Sequence, residues 1–162
     1  MNLSKDGENL IKTCEGLSLS VYPDHSFKTI GWGHTLKRGE EKITNITLQD
    51  AEDLFQRDVK EIEKNLSLII PKASIVLNHQ KKYDALISLI YNIGIKSFSD
   101  SNIYKYLKKD IFRESLYWWS KWVRDSKGEI LPGLVKRRKK EIYMFDEEHL
   151  HLPHEEKEQL FI

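Results

Sequence analysis

The amino-acid sequence predicts a mainly helical α+β protein with a small antiparallel sheet near its N-terminus. Apolar residues recur every three or four positions over most of the chain, which is the period of an amphipathic helix. Residues 17–22 instead alternate, and residues 29–36, TIGWGHTL, are rich in β-branched and aromatic side chains, as strands are. The 162 residues, 40% of them hydrophobic, suffice for one globular unit with two lobes.

Capping residues predict the helix boundaries. Ser4 is expected to cap a first helix that ends at Gly16, because glycine adopts the left-handed backbone that ends helices. Thr47 opens a helix of about four turns, which is expected to link the two lobes. Asn78 is expected to cap the central core helix, which ends at Gly94. Shorter helices are predicted over residues 101–108, 111–122 and 132–145.

The predicted organisation is a single domain over residues 1–146 followed by a tail. Its sheet lobe covers about residues 15–46, and its helical lobe covers about residues 66–146 together with the first helix. Residues 147–162 form an acidic, histidine-containing tail, which we expect to be solvated and partly mobile. The tail histidines lack the i, i+4 spacing of a helical metal site, so no metal is predicted at His149, His151 and His154.

Charge, cysteine usage and hydropathy argue against several function classes. The formal net charge is only +1, so general nucleic-acid binding is not expected, and the run Lys136–Lys140 is interpreted as a solvated helix face. Cys14 is the single cysteine and is interpreted as a packing residue, neither half of a disulfide nor a nucleophile. The longest mostly apolar run, residues 85–95, is far shorter than the roughly 20 residues of a membrane span, so stable membrane insertion is not expected. At least one tryptophan is expected to be buried against the last helix, among Trp118, Trp119 and Trp122.

Glu15, Asp24 and Thr29 form the candidate catalytic set. Hydrolysis of a glycosidic bond requires one carboxylic acid that protonates the leaving oxygen and a second carboxylate on the other side of the sugar. A helix that ends at Glu15 and turns into a hairpin carrying Asp24 would bring two such acids to one cleft. Glu15, at the negative end of the helix dipole, is expected to be the proton donor.

Thr29 is expected to stand directly opposite Asp24 on the neighbouring strand. This pairing follows if the turn is centred on Ser26 and Phe27, and equally if a looser loop spans residues 25–28. Directly paired residues share a face of the sheet, so a carboxylate and a hydroxyl there could hold one water between them. Spacing alone does not distinguish such a site from an ordinary helix end beside a turn.

Five segments resemble one protein family. CEGLSLSVYPD, at residues 14–24, and TIGWGHTL resemble the active-site segment of the phage-type lysozymes, the endolysins of glycoside hydrolase family 24. AEDLFQRDV, ALISLIYNIG and ILPGLVKRRKKEIYMF resemble, in the same order, the family's linking helix, central helix and closing LPGLV-x-RR block. The resemblance covers about residues 4–145. It implies a lysozyme-like fold and inverting hydrolysis of the β-1,4 bond between N-acetylmuramic acid and N-acetylglucosamine in peptidoglycan, without metal or organic cofactor.

The resemblance also implies site residues. By position, Glu15 matches the family's general acid, Asp24 its water-orienting carboxylate and Thr29 its partner hydroxyl. His34 matches a family histidine with an orienting role. Residues in cleft-lining positions are expected to bind substrate: Thr35, Leu36, Tyr91, Asn92 and Ser101. Tyr91 would equally suit a helix core, and Ser101 a helix cap. Four residues separate Asp24 from Thr29, where the family usually has five, often with a glycine. We therefore expect the catalytic set to persist with a tighter or tilted hairpin tip, at the risk of reduced activity.

Other functions are compatible with the same fold. A lytic transglycosylase cleaves the same bond without water, and a catalytically weak protein could bind walls without lysing them. A nucleic-acid binder is a more distant alternative, which salt-sensitive DNA binding would reveal. Because no signal-peptide pattern is visible, we expect a monomer made in the bacterial cytoplasm that reaches the wall through a holin-type membrane lesion.

Overall fold

The computed structural model describes residues 1–24, 27–71, 74–147 and 152–161, with the backbone alone at residue 24. Three strands and eight α-helices are found in these ranges, and the mainly helical α+β class is confirmed. The elements are α1 Lys5–Glu15, β1 Ser18–Asp24, β2 Phe27–Gly31, β3 His34–Thr35, α2 Leu48–Ile69, α3 Gln80–Ile93, α4 Ile95–Ser99, α5 Asn102–Leu107, α6 Phe112–Ser120, α7 Pro132–Asp146 and α8 His154–Gln159.

The first helix begins and ends where the sequence predicts. The Ser4 side chain accepts a hydrogen bond from the Gly7 backbone N–H, which satisfies one of the free donors at the start of the helix. Gly16 ends the helix with a φ of 72°, a conformation that favours glycine. Leu10 and Ile11 are buried, and α1 packs against α3. Glu15 is therefore the last residue of an anchored helix.

The sheet has the order β1-β2-β3 and is antiparallel throughout. Asp24 pairs with Phe27 and Thr29 pairs with Tyr22, so the prediction that Asp24 and Thr29 stand directly opposite each other is wrong. The strand β1 ends at Asp24 and β2 begins at Phe27, so only residues 25 and 26 lie between them. This connection has the same length as the expected turn at Ser26 and Phe27 but lies one residue earlier, so the partner of Asp24 changes by two residues, from Thr29 to Phe27.

The helix α2 connects the sheet lobe with the helical lobe. Thr47 and Asp50 form a capping box at its start, as the sequence suggested. The helix runs for 22 residues, about six turns and not four, because buried Leu66 continues its apolar face beyond a polar stretch. It contacts β2, β3, α3 and α4.

The helix α3 is the centre of the core. Every residue from Lys82 to Ile90 is buried, and the helix packs against α1, α2 and α7. The prediction that Asn78 caps it is wrong, because Asn78 ends the preceding 3₁₀ turn Ile75–Asn78 and α3 begins at Gln80. The predicted burial of a tryptophan is confirmed, since Trp119 is fully buried and packs edge-on against Phe145 of α7.

The helix α7 carries the basic run, and part of that run is buried. Lys136 and Lys140 are exposed, but Arg137 is only 4% exposed and Arg138 is inaccessible. The interpretation of the whole run as a solvated face is therefore wrong for these two arginines. They lie on the side of α7 that faces α3, where buried Glu141 neutralises charge.

The C-terminal segment is packed where the structure describes it. Leu152 is buried in the core cluster, and Lys157 Nζ lies 2.5 Å from the buried carboxylate of Asp146. The expectation of a solvated tail is wrong for Leu152, which is buried just before α8, and for Lys157 of α8, which is the cation for an otherwise unpaired buried charge. His149 and His151 lie outside the described residues. Within the described ranges, no helix is long and apolar enough to cross a membrane.

Candidate active site

Glu15 is held in place by contacts from two distant parts of the chain. Its Oε1 accepts a hydrogen bond from Arg137 on α7 at 2.5 Å, and its side chain is 18% exposed. Gly33, between β2 and β3, has a φ of 82° and lies so close that a Cβ there would be 2.8 Å from Glu15 Oε2. The carboxylate therefore lies against the backbone of the sheet lobe while it is paired with the helical lobe.

Arg137 connects Glu15 to a buried polar cluster. Its Nε donates to Glu141 Oε1 at 3.0 Å, and a terminal nitrogen donates to the Ser88 carbonyl oxygen at 3.0 Å. Burial alone would lower the pKa of Arg137, but the carboxylates of Glu15 and Glu141 raise it above its ordinary value. The guanidinium remains charged and orients Glu15.

Glu141 is the fully buried acid at the centre of this cluster. Besides Arg137, it accepts hydrogen bonds from Ser88 Oγ at 2.8 Å and from Trp119 Nε1 at 2.9 Å, and Arg138 Nε lies 3.1 Å away. Sequence reasoning missed Glu141. The i, i+4 spacing of Arg137 and Glu141 on one helix was the available signal, although such pairs are usually on the surface.

Thr29 is a buried hydroxyl without a hydrogen-bond partner among the described residues. It is 2% exposed, and its Oγ1 is one of four buried side-chain atoms of the described part of the chain that lack a partner. Thr29 stands between Tyr22 on β1 and Thr35 on β3 in the pairing of the sheet. A buried hydroxyl in this state has an unused capacity to bind a water or a substrate group.

Asp24 is the last residue of β1, two pairs closer to the hairpin tip than Thr29. The two residues are thus diagonal neighbours in the backbone ladder of the sheet.

Two cavities meet the region around Glu15. The larger, of about 590 Å³, is lined by Glu15 together with Asn92 and the first turns of α7; its other lining residues include Thr13, Cys14, Leu131, Leu134, Lys136 and Lys140. The smaller, of about 280 Å³, is lined by Gly33, Thr35 and Tyr91, among other residues of β3, α2 and α3. Both are open to solvent, and the larger has a volume typical of ligand-binding sites.

Comparison with known proteins identifies the family to which this arrangement belongs. The family model described as Phage lysozyme matches residues 12–141, which include Glu15, the sheet and the buried cluster of α7. The chain belongs to the phage lysozyme family.

Relatives support the same assignment. The chain is 34% identical over 148 residues to the endolysin of Bacillus phage B103, which covers 90% of this chain but 54% of that relative, so the chain spans about half of its length. It is 32% identical to the endolysin of Acyrthosiphon pisum secondary endosymbiont phage 1, with 90% of this chain and 99% of the relative covered. Among solved structures, the muramidase domain of SpmX from Asticaccaulis excentricus has a TM-score of 0.75 at 27% identity, covering 89% of this chain and 97% of that one.

Tyr91 and Asn92 lie beside the two cavities in this member of the phage lysozyme family. Asn92 borders the larger cavity and accepts a hydrogen bond from Arg138 at 2.7 Å. Tyr91 borders the smaller cavity, donates to the Trp32 carbonyl oxygen at 2.7 Å and packs on Phe55. Burial raises the pKa of Tyr91, so the phenol stays protonated.

The other predicted substrate-binding residues differ in position. Thr35 is exposed and lines the smaller cavity. Leu36 continues the sheet, with its N–H donating to the Lys28 carbonyl oxygen at 2.9 Å, and lines neither cavity. Ser101 caps α5 by accepting from the Tyr104 N–H and donating to the Phe98 carbonyl oxygen. Ser101 lines neither cavity, and its contacts are those of a helix cap, which was the alternative interpretation.

His34 joins the sheet lobe to α2. It is 2% exposed, with Nδ1 2.7 Å from Asp58 and Nε2 2.9 Å from Glu40. Burial lowers the pKa of His34, but the hydrogen bonds to Asp58 and Glu40 raise it above its ordinary value. The pKa of Glu40 falls to about 2, because its backbone and side-chain hydrogen bonds outweigh the effect of burial, which opposes them.

Cys14 lies next to the acid but lacks the partners of a nucleophile. The residue is half-buried, lines the larger cavity, and has the pKa of its thiol raised by burial. A raised pKa disfavours the reactive thiolate. No group of three or more potential metal ligands occurs among the residues that the structure describes.

Proposed function

We propose that this chain hydrolyses the β-1,4 bond between N-acetylmuramic acid and N-acetylglucosamine in peptidoglycan. The observation that carries the proposal is the position of Glu15, whose carboxylate is fixed between Arg137 and Gly33 at the edge of an open cavity. A general acid must be held within reach of a leaving oxygen while substrate enters from solvent, and this position meets both demands. Membership of the phage lysozyme family supports the same reaction.

In the proposed reaction, Glu15 donates a proton to the departing glycosidic oxygen. Asp24 accepts a proton from a water that attacks the anomeric carbon from the opposite side, and Thr29 Oγ1 helps to hold that water. The buried hydroxyl of Thr29, which has no hydrogen-bond partner within the described part of the chain, supports this role, because a hydrogen bond from a water would satisfy it. Direct attack by water inverts the anomeric configuration.

Substrate contacts are proposed for Thr35, Tyr91 and Asn92, which border the cavities. For Leu36 and Ser101 we propose no direct contact. His34 is proposed to orient the sheet lobe and not to exchange a proton with substrate, because both of its ring nitrogens already contact carboxylates.

Loss of turbidity of purified peptidoglycan tests the proposal. The variant Glu15→Gln keeps the shape of the side chain and removes its proton, so we expect a loss of about 100-fold or more in rate. Asp24→Asn should also cripple turnover, whereas the neighbouring control Cys14→Ser should retain most activity. Equal lysis by the parent protein and Glu15→Gln would contradict the proposal. A new reducing end in the products supports hydrolysis, and an anhydro sugar would instead indicate a transglycosylase.

The route to the wall is a further part of the proposal. We propose that the protein acts as a monomer and reaches peptidoglycan through a holin-type membrane lesion, as the endolysin names of its relatives suggest. Expression inside bacteria should therefore cause lysis only when the inner membrane is permeabilised. Lysis of intact expressing cells without permeabilisation would contradict this route.

A further inference from the structure

Phe27 is a large aromatic side chain that the fold leaves in solvent. It is the first residue of β2 and is 63% exposed. Side chains alternate between the two faces of a strand, so Phe27 lies on the same face as Thr29, two residues further along. The two Cα atoms are about 7 Å apart, at roughly 3.3 Å per residue.

The face that carries Phe27 reaches the smaller cavity through Thr35, while His34 lines the same cavity from the other face of the sheet. Thr29 pairs directly with Thr35, and directly paired residues point to the same side of the sheet. Thr35 lines the smaller cavity together with Tyr91. Tyr22, which pairs with Thr29 from the other strand and is 36% exposed, adds a second aromatic ring to this face.

The opposite face of the sheet is already occupied. Ile30 is fully buried, and its partner in the ladder, His34, contacts Asp58 of α2. The long helix therefore covers the Ile30 face, and the exposed aromatic surface remains on the Thr29 face alone. Phe27 therefore lies on the same face of the sheet as Thr29 and Thr35 of the candidate active site, and it has no aromatic-ring contact among the described residues.

We propose that Phe27 is a stacking platform for a sugar ring of the glycan strand, one sugar removed from the bond that is cleaved. The C–H faces of a pyranose are apolar, while its edge carries hydroxyls. An aromatic ring at the rim of a polar cleft can therefore stack on a C–H face while the hydroxyls remain hydrated. The inference rests on the proposed function, because it takes its ligand from that reaction. It makes Phe27 a substrate-positioning residue at the hairpin tip, where the family usually has a glycine-containing turn.

Binding of a β-1,4-linked N-acetylglucosamine tetramer tests the platform without turnover. The measurement is isothermal titration calorimetry in the Glu15→Gln background. Adding Phe27→Ala should weaken binding by at least about fivefold, as expected when an aromatic anchor is truncated. Phe27→Trp, which keeps an aromatic face, should bind within about twofold of the background protein.

Tyr117→Ala is the matched control, because Tyr117 is also an exposed aromatic, at 48%, but lies on α6. It should leave tetramer binding unchanged. The melting temperature should change little in any of these variants, since both side chains are largely in solvent. Equal tetramer affinity of the Phe27→Ala and background proteins overturns the platform. A loss of affinity in the Tyr117→Ala protein as large as that in the Phe27→Ala protein overturns it too, as does a background protein that does not bind the tetramer.

Peptidoglycan hydrolysis by the otherwise unchanged chain separates this inference from the proposed function. With the platform present, Phe27→Ala raises KM at least about fivefold and lowers kcat less. Lysis by the parent protein with an unaltered KM in Phe27→Ala would remove the platform and leave the function standing. Tetramer binding that depends on Phe27, in a parent protein that lyses no walls, would remove the function and leave the platform.

Discussion

Arg137 of α7 donates a hydrogen bond to Glu15 at the end of α1, at 2.5 Å, although 122 residues separate them in the chain. The same guanidinium contacts Glu141 and the Ser88 carbonyl oxygen, so one side chain links the candidate acid to the core of the helical lobe. Glu15 is therefore positioned by the tertiary packing of α7 against α1 and α3, and not by its own helix alone.

Replacing Arg137 should damage stability as well as activity. Arg137→Met leaves the fully buried Glu141 without one of its cationic partners, and such a loss costs about 3–5 kcal/mol. Urea unfolding measures this difference. Lys136→Met, on the exposed neighbouring position, is the matched control and should change stability little. Similar unfolding midpoints for the two variants would contradict the structural role of Arg137.

Gly33→Ala should impair activity through the position of Glu15. A Cβ at residue 33 would lie 2.8 Å from Glu15 Oε2, so the carboxylate must move. Gly39→Ala is the control, because Gly39 has a φ of 95° but nothing within 4 Å of an added Cβ. Both variants carry backbone strain of about 1–2 kcal/mol, and only Gly33→Ala should lose an additional tenfold or more in lytic rate. Equal rates in the two variants would exclude a role for the close approach.

His34 should make stability depend on pH above neutrality. Its pKa is raised in the folded protein from the ordinary value of 6.5, so its contribution is complete below pH 6.5 and is lost as the pH rises through the folded-state pKa. Glu40, with its pKa lowered from 4.5 to about 2, contributes fully above pH 4.5 and loses its contribution as the pH falls toward 2. The His34–Glu40 pair should therefore stabilise most between about pH 4.5 and 6.5.

Melting temperatures from pH 5 to pH 9 provide the measurement. The parent protein should lose its advantage over His34→Asn as the pH rises above 6.5, because the variant lacks the group that titrates. A constant difference between the two proteins over this range would show that His34 does not change protonation in the folded state.

The C-terminal helix should stabilise the domain through one buried ion pair. Lys157, 13% exposed, faces the inaccessible carboxylate of Asp146, so Lys157→Met should cost about 3 kcal/mol by leaving that carboxylate without its cation. Lys139 pairs with Glu158 on the same helix, but both side chains are more than one-third exposed, so Lys139→Met should have no measurable effect. Chemical unfolding compares them, and an equal effect of the two substitutions would count against the buried pair.

The sequence alone predicted those elements whose cause is local. The Ser4 and Thr47 caps, the end of α1 at Gly16 and the start of α7 at Pro132 follow from backbone preferences of single residues and their neighbours. The helical period likewise predicted α3 as the core helix. Glu15, Asp24 and Thr29 were recognised as a candidate site from the segments that resemble the phage-type lysozymes.

Tertiary structure decided what depends on contacts between distant segments. The hairpin register, which pairs Asp24 with Phe27, depends on which residues form the connection, and the sequence around Ser26 and Phe27 was compatible with more than one turn. The burial of Arg137 inside a run of basic residues depends on carboxylates from α1 and within α7, since a buried charge is tolerated only with such partners. Local sequence patterns determine neither the hairpin register nor the burial of Arg137, because both are fixed only when separate elements pack together.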